Sequence, residues 1–438
     1  FVSPARKTPP RPFLARVPDF LLLSADQFLR SLRQGTLFLL SARFVGKALL
    51  LVFLLVLASR LESRAFLDLE VISSLINFLI WIFLAVTFSV ARIGVAFPPE
   101  DLDVSLKGLL QHTQIPALIA GLLISLFVIA IGFFFDQTRP SRTLEIQLIV
   151  AIFALVQFLY RYLLGFHQAR ESYRLIGVFY LAPGIIALMA AVLFLNLDLG
   201  FRAALLVYLA GAVAQLLWAY LSLRRSLLPL PIQPFPGIPR RIGPGLFRIS
   251  VGITLFFVIY SMDIFSAKFL LDSASGETYA RLEFLGRIVF TIVATVGFAF
   301  FVRIVRAYDD RESDNLGTGF RSALATLAVV VGTAALFPYL YSALFGAALA
   351  DLVPSMLMVV GAKTIQSFLF VVVTVKGATV SRYVLRWLTV VLVCQVLLFA
   401  AFHDSIEAVA LNILLSGVLA VILFSASFLY ERKVGVSR

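Results

Sequence analysis

Runs of about twenty predominantly apolar residues recur along nearly the whole chain with only short polar breaks between them. About twenty residues, rising 1.5 Å each, is what a helix needs to cross the hydrocarbon of a bilayer. With 61% of its 438 residues hydrophobic and 14% charged, the chain carries more apolar side chain than a soluble core of this length can bury. Lipid must therefore be its main solvent. The alternating pattern of a membrane β-barrel is absent. The expected fold class is an all-α polytopic membrane protein.

Hydropathy predicts spans at 37–60, 68–91, 115–135, 145–166, 173–196, 200–222, 247–270, 279–302, 320–346, 354–375, 384–402 and 407–430, about twelve transmembrane helices. An even number puts both termini on one side. Residues 1–36 read as a cytosolic tail with an amphipathic surface helix over 19–34 (DFLLLSADQFLRSLRQ). The stretch 223–246, in which paired arginines flank a run of prolines, reads as a stiff cytosolic linker. It divides the chain into a six-helix lobe at 37–222 and a second at 247–430, followed by a short tail at 431–438. Pro183–Gly184 and Pro338 are expected to interrupt their helices.

Lys and Arg mark cytosolic helix ends, and here they favour one side by nearly four to one. That places both termini in the cytosol; the membrane is expected to be a bacterial or archaeal cytoplasmic membrane. It also accounts for most of the net charge of +13 without a nucleic-acid partner, leaving anionic membrane lipids as its natural counterpart. Cys394 is the only cysteine, which excludes an intrachain disulfide and a cysteine-cluster metal site. His112, His167 and His403 sit at ends of different helices without metal-ligand spacing and read as interfacial. The acidic run Asp309, Asp310, Glu312, Asp314 reads as a solvated turn. The outward loops are too short for acceptor chemistry, so the sequence points to no catalytic residue, no metal and no cofactor, and the chain is expected not to be an enzyme.

The charges inside the spans are more informative, because each costs about 2.5–3.5 kcal/mol on insertion scales and so faces a partner or a cavity. Asp263 falls ~10 Å and Arg287 ~12 Å below the same surface at the helical rise per residue, on adjoining helices. In one reading Asp263 pairs with Arg287 across the hairpin while Glu283 supports Arg287 at i, i+4. In the other, Arg287 faces a cavity, and Asp263 and Glu283 balance its charge; arginine's planar fork suits phosphate and stays charged when desolvated. Lys363 lies too deep in its span for easy snorkelling and is a second cavity candidate. Lys47 and Arg43 share one face of the first helix, where snorkelling to headgroups competes with substrate contact.

The stretch DIFSAKFLLDSASGETYARLEFLGRIVFTIVATVGFAFFVRIVRA resembles Wzx-type polysaccharide flippases, at Asp263, Gly276, Tyr279, Ala280, Gly286, Arg287 and Ile288. The opening FVGKALLLVFLLVLASRLESRAF is similar to that family's first helix and outer turn. Val302 stands where the family commonly has Pro, and its usual Gly after the first outer turn is not evident; subfamily and substrate stay open. The resemblance implies the multidrug/oligosaccharidyl-lipid/polysaccharide (MOP) exporter superfamily, with two six-helix lobes around a central cavity. It implies alternating-access movement of a polyprenyl-pyrophosphate-linked glycan from inner to outer leaflet, with polysaccharide polymerase or export proteins as partners. Arg287, Lys363, Lys47 and Arg43 are then the expected substrate contacts, balanced by Asp263 and Glu283. The rivals are an ion-coupled multidrug exporter of the same superfamily and a membrane-embedded glycan polymerase or acyltransferase.

Overall fold

The structure, a computed structural model, describes residues 35, 37–61, 63–135, 140–197, 199–231, 243–272, 353–378 and 383–434, with individual positions between 274 and 305. The expected surface helix at 19–34, the span at 320–346 with Pro338, the acidic run at 309–314 and the middle of the linker, 232–242, lie outside these residues.

The described helices are α1 (Leu37–Arg60), α2 (Ser63–Ile82), α3 (Leu84–Val95), α4 (Leu102–Phe135), α5 (Pro140–Ala169), α6 (Tyr173–Asn196), α7 (Phe201–Leu227), α8 (Gly243–Leu270), α9 (Val353–Ala378), α10 (Tyr383–Ala401) and α11 (Ile406–Val434). The described positions from Thr278 to Val305 are also helical. Among the described residues, nine helices are long and apolar enough to cross a membrane. The chain is a multi-pass, all-α membrane protein. Several helices outrun their hydropathy spans: α4 begins at Leu102, where the apolar run suggested 115, and α7 and α8 take residues from both ends of the expected linker. Backbone hydrogen bonding continues into polar flanks, so apolarity marks the lipid-buried part of a helix and not its ends. Within the predicted span at 68–91 the helix is divided at Phe83, where the Val86 N–H bonds the Phe83 carbonyl at 3.1 Å, and the apolar stretch Leu75–Val95 runs across the division as one candidate span. By contrast α6 runs unbroken through Pro183, against the expected interruption.

Helix α1 packs on α6, α5 on α3, α4 and α7, and α8 on α9 and α10, while α9 and α10 pack on α11. Lipid-solvated helices gain little from apolar burial alone, so close backbone approach carries more of the association. The α1–α6 crossing shows this. A Cβ on Gly46 would lie 2.3 Å from the Tyr180 carbonyl oxygen, and one on Gly184 would lie 2.6 Å from the Gly46 oxygen.

One end of the N-terminal helices is tied by charge. Arg170 pairs with Asp103 at 2.8 Å and donates to Ser226 at 2.7 Å, and Lys107 donates to the Leu228 carbonyl at 3.0 Å and to that of Leu230. These contacts join α4, α5 and the end of α7. His167, expected at an interface, is instead fully buried there, 3.1 Å from both the Ala219 carbonyl and the Ser222 hydroxyl.

The N- and C-terminal helices meet along an aromatic seam. Trp81 stacks on Phe257 at 5.2 Å and meets Phe290 edge-on at 5.0 Å, Phe88 lies 4.2 Å from Phe301, and Phe78 meets Phe265 at 5.9 Å. Such pairs add about 0.5–1.5 kcal/mol each beyond the area they bury. Polar contacts close the seam: Ser89 with Ser250 at 2.9 Å and the Gln168 amide with the Phe298 carbonyl at 2.8 Å.

Gly46→Ala and Gly184→Ala are each expected to force α1 from α6 and to destabilise by about 1–3 kcal/mol. Gly361→Ala, where a Cβ meets nothing within 4 Å, is the neutral control. Thermal unfolding of the detergent-solubilised variants, followed by circular dichroism, checks all three.

Candidate functional site

Two charged centres lie on either side of the seam. The first is a cavity of about 110 Å³ enclosed by N-terminal helices, with Arg43, Lys47, Trp81, Gln157, Arg161 and Tyr180 among its lining residues and no carboxylate among those described. Arg43, for which snorkelling and substrate contact were both open, turns inward to the cavity. It is 5% exposed, and its guanidinium carbon lies 4.7 Å from the Tyr180 ring centroid and 5.4 Å from that of Trp81. Arginine tolerates this because its weakly hydrated planar cation stacks on aromatic faces. Lys47, one turn along α1, is solvent-accessible.

Arg161, near the end of its predicted span at 145–166, is expected at a cytosolic flank. In the structure it is buried on α5, its guanidinium 3.4 Å from the Tyr180 hydroxyl and 5.7 Å from the Tyr160 ring. Its place five residues inside a predicted span, between Tyr160 and Tyr162, was the available signal. The Nε atoms of Arg43 and Arg161 are buried without a hydrogen-bond acceptor. Unmet donors of two cations beside an ammonium suit a multiply charged anion such as a phosphate. Gln157 and Gln215 bridge at 3.2 Å and form a neutral polar wall.

The second centre lies among α8, α9 and the helical residues around 283–287. Here Asp263 takes Lys363 as its ion-pair partner at 2.7 Å, where the hairpin reading had offered Arg287. Depth along two adjoining helices could not reveal a cation arriving from a third. Glu283 holds Arg287 at i, i+4 and also lies 3.5 Å from Lys363. Lys363, expected at the cavity, is completely enclosed. It donates to the Tyr260 carbonyl at 3.0 Å and rests 3.8 Å from the Tyr260 ring centroid, while the Tyr279 hydroxyl donates to Asp263 at 2.9 Å. Gly286 makes room for it: a Cβ there would lie 2.5 Å from Lys363 Cγ. Outside the spans, Asp272 accepts bonds from the Ser275 side chain and from the backbone of Ser275 and Ala274, which hold its carboxyl below the usual range.

Arg287, expected to face the cavity, is not among the described residues that line it; it is half-buried on the C-terminal side, paired with Glu283. Among the described residues, no group of His, Cys, Asp and Glu is arranged to hold a metal ion.

No protein-family model matches the sequence, and no curated protein matches it. Solved structures do match its fold. A multidrug resistance MATE family transporter of the MOP superfamily, in an outward-facing conformation, aligns at a TM-score of 0.70 with 14% identity, over 92% of this chain and 97% of that one. A MOP superfamily transporter from Pyrococcus furiosus, in which reversed polarity of the binding pocket suggests a different function, aligns at 0.69 with 14% identity, over 90% and 95%. A eukaryotic MATE transporter aligns at 0.69 with 13% identity, over 94% and 99%. The chain is a polytopic membrane protein whose fold is similar to that of these MATE and MOP superfamily transporters.

Breaking a buried pair strands a charge and costs about 3–5 kcal/mol, whereas removing both partners costs far less. Asp263→Asn and Lys363→Met are therefore each expected to destabilise strongly, and the double variant by less than the sum. A double-mutant cycle of thermal unfolding in detergent measures this coupling.

Proposed function

We propose that the chain is an alternating-access transporter that moves a polyprenyl-pyrophosphate-linked glycan from the inner to the outer leaflet for polysaccharide export. The observation that supports this reading is the charge of the cavity: Arg43, Lys47 and Arg161 face it with no carboxylate among the described lining residues. A pyrophosphate cannot cross hydrocarbon unaided. Desolvated cations can hold it in a cavity while the polyprenyl tail stays in lipid. In this proposal the chain forms two six-helix lobes, 37–222 and 247–430, of twelve spans in all, and Arg43, Lys47 and Arg161 contact the anion. Both termini lie in the cytosol, the basic flanks rest on anionic lipid headgroups, and polysaccharide polymerase or export proteins receive the product.

A second reading, an ion-coupled multidrug exporter, is favoured by the fold neighbours, most of which are described as MATE transporters. On descriptions alone they support it better than they support a flippase. A cationic drug, however, would want an open carboxylate, and Asp263 and Glu283 are engaged by Lys363 and Arg287. The transporter likeness also favours transport over a glycan polymerase or acyltransferase.

Proteoliposomes separate the two readings. With a fluorescent polyprenyl-pyrophosphate oligosaccharide in one leaflet, Arg43→Ala, Lys47→Ala and Arg161→Ala are each expected to slow translocation about tenfold, the loss of one charge-assisted contact. Efflux of a cationic dye down an imposed ion gradient, without lipid translocation, would establish the exporter instead.

A further inference from the structure

Two rings of the cavity wall belong to the seam as well. Trp81 and Tyr180 both line the cavity, where the Arg43 guanidinium carbon lies 5.4 Å from the first ring centroid and 4.7 Å from the second. Each ring also reaches the C-terminal side. Trp81 stacks on Phe257 at 5.2 Å with the planes 17° apart and meets Phe290 edge-on at 5.0 Å, and Tyr180 meets Phe298 edge-on at 6.4 Å. Tyr180 serves a second cation, since Arg161 donates to its hydroxyl at 3.4 Å. We propose that Trp81 and Tyr180 are positioning residues that couple anion binding in the cavity to closure of the seam, because the rings that hold Arg43 on the wall also hold the N-terminal helices to the C-terminal ones. The proposal rests on the reading of the cavity as an anion site.

Arg43 and Arg161 repel each other, and no carboxylate among the described lining residues neutralises them. The rings hold them in place instead. A guanidinium over an aromatic face is attracted by the ring quadrupole and keeps its N–H groups for an acceptor in its own plane. The Nε atoms of both arginines are buried without such an acceptor, so an anion adds bonds without displacing the rings. The rings are fixed from behind in turn. Trp81, Phe257 and Phe290 are all buried, and an indole packed face-on against one phenylalanine and edge-on against another is kept from turning away from Arg43. Parting the seam removes that backing from Trp81, and the Phe298 contact from Tyr180, so the guanidinium groups lose the fixed orientation that favours binding. The closed seam therefore binds the anion more tightly. By linkage the anion favours the closed seam by the same factor.

Two measurements on the purified full chain in detergent test this from opposite ends. In isothermal titration of inorganic pyrophosphate, Trp81→Leu is expected to bind on the order of tenfold weaker than the parent, and Phe257→Leu about fivefold weaker, although Phe257 is not among the described lining residues. Phe399→Leu, in a separate C-terminal core, loses similar packing and is expected to bind within about twofold of the parent. For the seam itself, the Ser89 and Ser250 hydroxyls lie 2.9 Å apart across it, so Ser89→Cys with Ser250→Cys brings two thiols within disulfide reach. Cys394, the only cysteine, is replaced by serine. Saturating pyrophosphate is expected to speed their cross-linking by diamide several-fold, an effect that adding Trp81→Leu abolishes. A purely structural role would lower stability and leave the cross-linking rate indifferent to pyrophosphate. The proposal is overturned if Phe257→Leu binds as tightly as the parent, if Phe399→Leu binds as weakly as Phe257→Leu, or if pyrophosphate leaves cross-linking unchanged. Should Phe257→Leu not be recovered folded, the cross-linking decides alone. A folded parent that binds no pyrophosphate overturns the anion reading, and this inference with it; a parent that binds while its seam does not respond overturns the inference only.

Discussion

An ammonium with no solvent exposure, in a protein whose main solvent is lipid, must bring its own counter-charges. Around Lys363 that requirement draws α8, α9 and the helical residues around 283–287 to one point, since Asp263, Tyr260 and Glu283 come from two segments distant in sequence from Lys363. The cost of leaving any one of these charges unpaired in such a setting is several kcal/mol, which makes the arrangement close to all-or-none. The aromatic packing of Tyr260 and Phe290, at 4.2 Å, then presses the seam against this neutralised centre.

The opposite side of the seam is built on the reverse rule. Close approach of α1 and α6 at Gly46 and Gly184 brings Arg43 and Lys47 into a space where Arg161 arrives from α5, and no described lining carboxylate compensates them. Stacking on Trp81 and Tyr180 makes the Arg43 cation tolerable but does not neutralise it. The molecule thus sets a neutralised centre on one side of the seam and, on the other, a cavity whose described lining carries cations without a carboxylate. That asymmetry carries the functional reading more than the fold does, because the same fold serves transporters whose descriptions differ.

Much of this was legible in the sequence. The spans at 37–60 and 173–196 coincide with α1 and α6, because an uninterrupted apolar run of the right length has no other low-cost solution in lipid. The embedded charges Asp263, Glu283, Arg287 and Lys363 were visible for the same reason: each is costly where it stands. Their partners were not. Asp263 and Arg287 lie at matching depth on adjoining helices, and nothing in the order of residues shows that α9 delivers Lys363 between them. Arg161 and His167 were misread as flank residues because distance from a span's end does not reveal which way a side chain turns. Arg161 turns toward Tyr180 and His167 toward the backbone of α7.

The sequence by itself determined that the chain is a helical membrane protein, roughly where it crosses, and which ionisable residues sit in its spans. Hydropathy and charge are local quantities, set by which residues follow one another. Only the tertiary structure decided which cation meets which carboxylate and which arginines line the cavity. Those outcomes depend on contacts between helices far apart in the chain, and at these depths a shift of a few ångströms separates a satisfied charge from a stranded one.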